Sequence, residues 1–360
     1  MRRRLLALSL CCFFFSPLIS LAQPAPIPVK VVIVAMWQNG DGTGSAPGEF
    51  HFWIQREHLD HVYPLPAGDA PVRMNSRGVL GVLTGVGTAK AAASIMALGL
   101  DPRFDLTHAY WLIDGIAGGD PADTSLASAV WVRHVINGDL AYEIDARQIP
   151  RNWSTGFVPL GKSFPYQKPA VNSYNQVFSL NRGLTQWAFQ LTRGVHLADG
   201  PVLRAHRDHF RQPSARRPPF VTIGDELSSS TYWHGSRLNT WATRWVSYYT
   251  HGKGNFAVTA MEDSGTLQAL AFLGQAGRVD PSRALVLRTI SNYDEQPPGL
   301  TAAQSLVAQH SGRFGAMLPS LETDYEVGHV VVDRLVDRWA EYRDHIPGDS
   351  SGKDIAARRQ

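Results

Sequence analysis

A thioether and a carboxylate stand together directly after a short apolar run, at Met261 and Glu262. A carboxylate can accept hydrogen bonds from two vicinal hydroxyl groups, and a thioether can pack on the face of a sugar. The pair therefore suits a ribose. The alternative interpretation is that Glu262 and Asp263 are only acidic residues that stabilise the start of a helix.

A second polar group follows another apolar run and reads Arg288-Thr-Ile-Ser-Asn292-Tyr-Asp294. The Asn292 side chain can both donate to and accept from the edge of a purine, and the nearby Asp294 carboxyl could transfer a proton. These residues are candidates for base recognition and for catalysis, respectively. A tight turn uses the same residue types, so the segment alone does not decide between the interpretations.

Two glycine-containing segments also follow apolar runs. Gly85 and Gly87 precede an alanine-rich helical pattern, where backbone N–H groups could approach an anion or a sugar. A third glycine is missing, so the segment does not match a dinucleotide fingerprint. In the second segment Asp114 precedes Gly115-Ile-Ala-Gly-Gly119, and we expect it at the carboxyl end of a strand, where open α/β sheets bind ligands. The alternatives are a plain strand-to-helix turn for the first segment and a turn carboxylate for Asp114.

Two groups of residues have spacings compatible with metal binding. They are Glu57, His58 and His61, and His206, Asp208 and His209. Neither group has a matched third segment, and surface or capping histidines are commoner than ligands. We therefore predict no metal site and no other cofactor.

An alternation of buried strands and helices must position all of these side chains. Continuous apolar, β-branched runs are typical of strands covered by helices on both faces; they occur at 29–37, 78–83, 109–113, 129–136, 220–223, 256–259 and 284–290. Helical patterns are found at 88–98 and 264–273, and a terminal amphipathic helix is expected from Tyr325. The sequence therefore predicts an α/β domain with helices layered on a parallel or mixed sheet.

The predicted domain covers residues 23–347, with a polar, proline-containing insertion at about 137–196 and a disordered tail at 348–360. Residues 1–22 combine three arginines, an apolar run and a small residue at the end, which is the pattern of a secretory signal peptide. An uncleaved anchor is the alternative, but Ser16-Pro17 interrupts a run that is already short for a membrane span. We expect a secreted, periplasmic protein.

Charge and cysteine content narrow the function classes. The chain has a net charge of +3, and removal of residues 1–22 would leave no net charge and no cysteine. A neutral chain lacks the electrostatic footprint of nucleic-acid binding, and a chain without cysteine forms no disulfide. The sequence therefore favours a small-molecule ligand and excludes nucleic acid as the partner.

The four chemical segments together resemble, in order and spacing, the motifs of the nucleoside phosphorylase superfamily. The matching motifs are the Gly85-x-Gly87 turn, Gly115-Ile-Ala-Gly-Gly119, Ile223-Gly-Asp225, Met261-Glu262 and Arg288-Thr-Ile-Ser-Asn292. Two longer segments resemble the purine nucleoside permease family more closely: Gly42-Thr-Gly-Ser-Ala-Pro-Gly-Glu-Phe50 and Gly224-Asp-Glu-Leu-Ser-Ser-Ser-Thr-Tyr-Trp-His-Gly235. The resemblance covers about residues 29 to 345.

The resemblance implies a three-layer αβα sandwich around a mixed, partly barrel-like sheet, with a purine nucleoside as the ligand. Met261 and Glu262 would hold the ribose, and Asn292 would reach the purine. Tyr232 and Trp233 would stack on the base, although core packing is the alternative for Trp233.

Asp114 stands where relatives in this superfamily carry small hydroxyl residues. A bound phosphate beside a second negative charge is unfavourable in a site of low dielectric. We therefore expect water to cleave the N-glycosidic bond, with Asp114 as the candidate base and Asp294 as the candidate acid. The alternatives are a phosphate-dependent phosphorylase, and a protein that captures nucleoside without turnover for a separate membrane transporter. The sequence does not predict the oligomeric state.

Overall fold

A computed structural model of the chain describes residues 24–40, 46–168, 174–310 and 315–349. The predicted signal peptide at 1–22 lies outside these residues, as do most of the predicted tail and part of the 42–50 motif. What the sequence predicts for those segments stays a prediction.

The strands within the described residues are short at the sheet edges and long at its centre. They are β1 Ile27–Pro28, β2 Val31–Ala35, β3 His61–Tyr63, β4 Val72–Met74, β5 Val79–Leu83, β6 Phe104–Asp105, β7 Tyr110–Gly119, β8 Ala129–Asn137, β9 Ala141–Glu143, β10 Phe157–Pro159, β11 Val177–Ser179, β12 Val221–Ser228, β13 Phe256–Ala260 and β14 Ala284–Tyr293. The long apolar runs of the sequence correspond to β2, β5, β7, β8, β12, β13 and β14, as predicted.

The helices alternate with these strands along the chain. They are α1 His51–Arg56, α2 Thr88–Leu100, α3 Arg182–Thr192, α4 Pro201–Arg207, α5 Ser236–Tyr249, α6 Asp263–Gln275, α7 Ala302–His310, α8 Met317–Asp337 and α9 Trp339–Tyr342, with a 3₁₀ turn at Pro281–Arg283. Helix α8 begins eight residues before Tyr325, so the terminal helix is longer than its amphipathic pattern indicated.

The main sheet has ten strands in the path β11-β8-β12-β13-β7-β2-β5-β4-β3, with β14 paired to both β7 and β8. Parallel pairs such as β2–β7 and β12–β13 are combined with antiparallel pairs such as β13–β7 and β14–β8. Because β14 joins β7 to β8, the strands β8, β12, β13, β7 and β14 close on themselves. The sheet is therefore mixed and partly barrel-like, as expected.

Helices cover both faces of this sheet. Val32 and Val34 of β2 point into the cluster that contains the apolar side chains of α2 and α6. Val31 and Ile33 point to the other face, against α1, α3 and α8. This alternation explains why β2 is apolar at every position, and it confirms the three-layer αβα arrangement.

Three strands continue further than their apolar runs. Strand β7 extends through Gly119, β12 through Ser228 and β14 through Tyr293. Glycines permit this in β7, because a Cβ on Gly115 would lie 2.5 Å from Glu49 Oε1 and 2.6 Å from Arg288 Nη1. Several residues that the sequence placed after a strand therefore lie inside one.

The polar segment 137–196 contains regular structure of its own. Strands β9 and β10 form an antiparallel pair, and β11 adds to the edge of the main sheet beside β8. Helix α3 packs against the α8 side of the sheet through Leu184 and Ala188. The segment thus contributes to the main sheet as well as to the surface.

Candidate functional site

A buried arginine on the α2/α6 side of the sheet organises the polar residues. Arg288 is fully buried, and its guanidinium forms a two-point ion pair with Asp263, with Nε 2.9 Å from Oδ2. The carboxyl groups of Glu49, Glu226 and Glu262 also interact electrostatically with Arg288. We call these five residues the Arg288 cluster.

Glu262 lies between β13 and α6 and connects two predicted segments. Its Oε1 accepts from the backbone N–H of Gly87 at 3.0 Å, and its Oε2 accepts from the N–H of Met261 at 3.1 Å. It occupies the cap position of α6, but its side chain makes no capping hydrogen bond there. Burial raises the pKa of Glu262 to about 7, and Arg288 opposes this shift. Glu262 as a whole is 6% exposed.

Glu49 is a residue of this site that the sequence analysis quoted in a motif but did not assign. Its Oε2 accepts from the N–H groups of Met36 and Trp37 at 2.9 and 3.0 Å, and its Oε1 accepts from the N–H of Ile116 at 2.9 Å. Burial raises its pKa, and Glu49 in turn raises the pKa of Glu262. The signal in the sequence was only that Glu49 shares a segment with many glycines.

A small cavity brings together four of the predicted substrate-binding residues. It is lined by Gly118, Thr231, Tyr232, Trp233, Thr259, Met261 and Asn292. We call it the nucleoside cavity. Tyr232 is half exposed and donates to Gln309 through its hydroxyl, whereas Trp233 is 7% exposed. Met261 joins this cavity to the Arg288 cluster, because Glu262 follows it in the chain.

The two glycines of the Gly85-x-Gly87 turn have different surroundings. Both have positive φ, which glycine adopts at little cost. Gly87 donates its N–H to Glu262 and so reaches the site. Gly85 packs against Asp69 and Lys90 instead, so the structure does not place it in the nucleoside cavity.

Asp294 lies directly behind the cavity wall. A Cβ on Gly118 would be 3.4 Å from Asn292 Nδ2 and 3.6 Å from Asp294 Cβ. Asp294 is fully buried, and its Oδ1 accepts from Asn239 Nδ2 at 2.9 Å. Burial raises its pKa well above the ordinary value, and nearby Asp120 adds to the shift. Burial and the neighbouring Asp120 therefore favour the protonated form of Asp294.

The position predicted for Asp114 needs correction. It lies within β7 and not after it, because the glycines that follow continue the strand. Side chains alternate along a strand, so Asp114 points away from the face on which Gly115 meets Glu49 and Arg288. Trp53 Nε1 donates to Asp114 Oδ2 at 2.7 Å, and the carboxyl group of Asp324 in α8 is hydrogen-bonded to it. Its catalytic role stays a prediction, but its neighbours belong to the α1/α8 layer.

The histidine groups have structural neighbours. Glu57 accepts from the Tyr325 hydroxyl at 3.2 Å, and His206 Nδ1 lies 3.1 Å from the Gly315 carbonyl oxygen. Among the described residues, no group of three histidine, cysteine or acidic side chains could hold a metal ion. In the same part of the chain, no helix has the length and apolar character needed to cross a membrane.

Two solved structures have a similar fold. A 5′-methylthioadenosine/S-adenosylhomocysteine nucleosidase from Neisseria meningitidis aligns with a TM-score of 0.50 at 15% identity, over 85% of this chain and 99% of that one. Futalosine hydrolase from Helicobacter pylori aligns with a TM-score of 0.50 at 16% identity, over 85% of this chain and 98% of that one. This likeness establishes the fold of the nucleoside phosphorylase superfamily.

Curated relatives share more of the sequence. A purine nucleoside permease from Candida albicans is 31% identical over 72% of this chain, which spans only 64% of that protein's length. A probable purine nucleoside permease from Schizosaccharomyces pombe is 29% identical over 71% of this chain and 75% of its own. Residues 28–347 match the family described as purine nucleoside permease (NUP). The chain belongs to the purine nucleoside permease family.

Proposed function

We propose that this chain is an exported protein that binds a purine nucleoside in the nucleoside cavity and takes part in nucleoside uptake. The observation that carries the proposal is the convergence of Asn292, Met261, Tyr232 and Trp233 on one cavity beside Glu262. Asn292 supplies donors and acceptors for a purine edge, and the aromatic residues supply surfaces for stacking. We propose a role in uptake because the curated relatives are called purine nucleoside permeases. A separate membrane transporter would then carry the nucleoside across the membrane.

Ribose recognition is assigned to Glu262. Its carboxylate oxygens each have lone pairs beyond those used by the backbone N–H groups of Gly87 and Met261. Two vicinal hydroxyls would donate to these oxygens, and the Met261 side chain would pack on the sugar. Glu262 must be ionised for this role, and its pKa of about 7 would then fall on binding.

The Arg288 cluster disfavours phosphate as a second ligand beside the ribose. It contains four carboxyl groups and one guanidinium, and Asp263 already occupies that guanidinium at two points. A phosphate dianion would face negative charge in a buried site, where such repulsion costs several kcal/mol. We therefore propose binding that does not depend on phosphate.

Replacing Glu262 by glutamine should weaken ribonucleoside binding about 10- to 100-fold, because a hydrogen bond to a charged group contributes about 1.5–3 kcal/mol. Binding of the 2′-deoxynucleoside should weaken less, since one hydroxyl is already missing. Isothermal titration calorimetry with adenosine and 2′-deoxyadenosine measures both losses. The exposed Glu326 provides a control in Glu326→Gln, which should bind as the wild type does. Equal losses for the two sugars would remove Glu262 from the ribose site.

Hydrolysis of the nucleoside is a second candidate function, favoured by Glu49. A buried carboxyl with a raised pKa beside the proposed ribose site is a stronger base than an ordinary carboxylate, which suits it to take a proton from water. Water would attack C1′, the C1′–N9 bond would break with its electron pair going to the purine, and Glu49 would take the water proton. Asp294, whose pKa is raised by burial, remains the candidate donor to the departing purine.

Chromatography of inosine and adenosine incubated with the purified protein, with and without phosphate, tests this second candidate. Free base formed at the same rate in both conditions is the expected result if the chain is a hydrolase, and Glu49→Gln should then lower the rate about 100-fold or more. Glu57→Gln is the matched control, since Glu57 is a buried carboxyl at the other end of α1. Ribose 1-phosphate as product would contradict the exclusion of phosphate, and absence of product would leave binding as the function.

A further inference from the structure

A depression in the surface lies along the second half of α5 and shares no lining residue with the nucleoside cavity. Its volume is about 570 Å³, which is within the range of pockets that bind small organic ligands. Its walls include Tyr166, Lys168, Arg244, Ser247, Tyr248 and His251. We call it the α5 depression.

The charged side chains in the α5 depression are all positive. Lys168 and Arg244 are exposed, and in the described part of the chain neither side chain forms an ion pair or donates a hydrogen bond. No carboxyl group of the described residues lines the depression. Two cations without a partner give the depression a positive potential that suits an anion.

The two stretches of chain that form the α5 depression contain no acidic residue. The whole chain has 31 acidic residues against 34 lysines and arginines, yet none lies between Asp145 and Asp199 or between Glu226 and Glu262. Every residue of the depression belongs to one of these two stretches. Acidic neighbours in the chain therefore do not cancel its positive charge.

A role in capping α5 does not account for these cations. Basic side chains near the end of a helix can donate to its last carbonyl groups. Here the carbonyl oxygens of Val246, Ser247 and Tyr248 already accept from backbone N–H groups, at 3.0, 2.7 and 3.3 Å. The Lys168 and Arg244 side chains are therefore free for a ligand.

The loop that carries Lys168 is fixed to α5. The Tyr248 hydroxyl donates to the carbonyl oxygen of Gln167 at 2.5 Å, and the ring of Tyr166 packs edge-on against the ring of Tyr248 with centroids 6.1 Å apart. Burial raises the pKa of Tyr166 to about 12, and the charge of Arg244 opposes this shift, so the loop and the helix face each other here. The Tyr166 hydroxyl is buried and has no hydrogen-bond partner among the described residues.

Two residues of the depression have a backbone conformation that is unfavourable for their type. Tyr166 and His251 have φ of +56° and +55°, a region that glycine adopts more readily. His251 stands directly after the cap residue of α5, where glycine is the usual residue. Such conformations are concentrated at functional sites, which supports a role for these side chains.

We propose that the α5 depression is a second ligand site of this chain and that it binds the phosphate monoester group of an organic phosphate. Arg244 and Lys168 donate charge-assisted hydrogen bonds to the phosphate oxygens, and two cations balance a dianion. The organic part packs against the ring of Tyr166. A soluble phosphate ester and the headgroup of a membrane lipid both present this group. The inference does not rest on the proposed function, because the two sites share no residue.

Calorimetric titration of the full chain at pH 8 with phenyl phosphate tests the proposal, since a phosphate monoester then carries about two negative charges. Benzenesulfonate has the same ring and three terminal oxygens but a single charge, so it should bind at least tenfold more weakly. Inorganic phosphate lacks the ring and should bind several-fold more weakly. Arg244→Gln should weaken phenyl phosphate binding about 10- to 100-fold, the usual effect of a lost hydrogen bond to a charged group.

Arg237→Gln is the matched control on the same helix. Arg237 is also exposed and without an ion pair among the described residues, but it lies two turns, or about 10 Å, nearer the start of α5. It should bind phenyl phosphate as the wild type does. Equal losses for Arg237→Gln and Arg244→Gln would show a diffuse surface potential and overturn the site. Benzenesulfonate that binds as tightly as phenyl phosphate would overturn the assignment to a phosphate monoester.

Co-sedimentation with phosphatidylcholine vesicles, with and without phosphatidic acid, distinguishes the two sources of the phosphate group. Retention that requires phosphatidic acid and is lost in Arg244→Gln would identify a lipid headgroup. Binding of phenyl phosphate without retention on these vesicles would identify a soluble ester. Equal retention on vesicles that contain phosphatidylglycerol, a phosphate diester, would overturn the preference for a monoester. Failure to bind either phenyl phosphate or phosphatidic acid would overturn the proposal as a whole.

Discussion

Arg288→Ala is expected to lower the free energy of unfolding by about 3–5 kcal/mol, the usual cost of removing one partner from a buried ion pair. The substitution leaves the fully buried Asp263 without its counter-charge. It also removes the positive charge that holds down the pKa values of Glu49 and Glu262. Chemical denaturation monitored by circular dichroism measures the loss of unfolding free energy. A variant that cannot be obtained in folded form would also agree with a loss of this size.

Arg77→Ala is the matched control for charge removal at the surface. The Arg77 side chain is 40% exposed and pairs with the exposed Asp333 and Asp337 and, at 3.5 Å, with the buried Glu57, so Arg77→Ala removes more ion pairs than Arg288→Ala does. Exposed pairs contribute only about 0–1 kcal/mol, and the expected loss is correspondingly small. A loss for Arg288→Ala no larger than that for Arg77→Ala would show that the cluster does not depend on its arginine.

The pH dependence distinguishes lost charge compensation from lost packing. Burial raises the pKa values of Glu49, Glu226 and Glu262, so these groups take up protons readily as the pH falls. Once neutral, they need no positive partner. The stability difference between wild type and Arg288→Ala should therefore be larger at pH 8 than at pH 5. A difference that does not change with pH would assign the effect to packing of the side chain.

The central strands could be predicted from sequence because their burial is two-sided. Strand β2 is apolar at every position, and the only environment that suits such a strand is a sheet with helices on both faces. The pairing of β14 with both β7 and β8 could not be predicted in the same way. Strand pairing depends on contacts between segments that are distant in the chain, and an apolar run does not specify which strand it will pair with.

Candidate site residues could be nominated from the sequence only where they share a segment. Met261 and Glu262 are adjacent in the chain and Asn292 is two residues from Asp294, so residue type could nominate them as candidates while the helix-cap and turn alternatives stayed open. Glu49 reaches the site from a separate segment and is held by three backbone N–H groups, which no pattern of side chains reveals.

The sequence analysis placed Asp114 at the end of a strand, and this position was wrong for a different physical reason. A run of apolar residues followed by glycines is typical of a strand that ends in a turn. In β7 the glycines instead admit Glu49, Arg288 and Thr124 close to the backbone, so the strand continues and Asp114 is carried to the α1/α8 face. Glycine is favoured both where a side chain packs closely against the backbone and where the chain turns, and the sequence alone does not distinguish these two cases.

Asp114→Asn is expected to make the protein more stable than the wild type at pH 8 by about 2–4 kcal/mol, with little gain at pH 4. Burial raises the pKa of Asp114 to about 7, and the carboxyl group of Asp324 faces it. Between about pH 4 and pH 7 the folded protein retains a proton that the unfolded chain releases. The wild type therefore loses stability as the pH rises through this window, and the loss is complete above it. An amide in place of the carboxyl removes the titrating group and can donate to Asp324.

Denaturation midpoints of Asp114→Asn and wild type, measured from pH 4 to pH 8, give the difference directly, with Asp60→Asn as an exposed control. Parallel pH profiles for Asp114→Asn and wild type would contradict a proton shared between Asp114 and Asp324. If the chain hydrolyses nucleosides, the same variant decides the catalytic prediction, because general base catalysis contributes about 10² or more. Turnover reduced by that factor assigns Asp114 to the activation of water. Unchanged turnover with the altered pH profile assigns it to the packing of α1 and α8 on β7, and leaves Glu49 as the base.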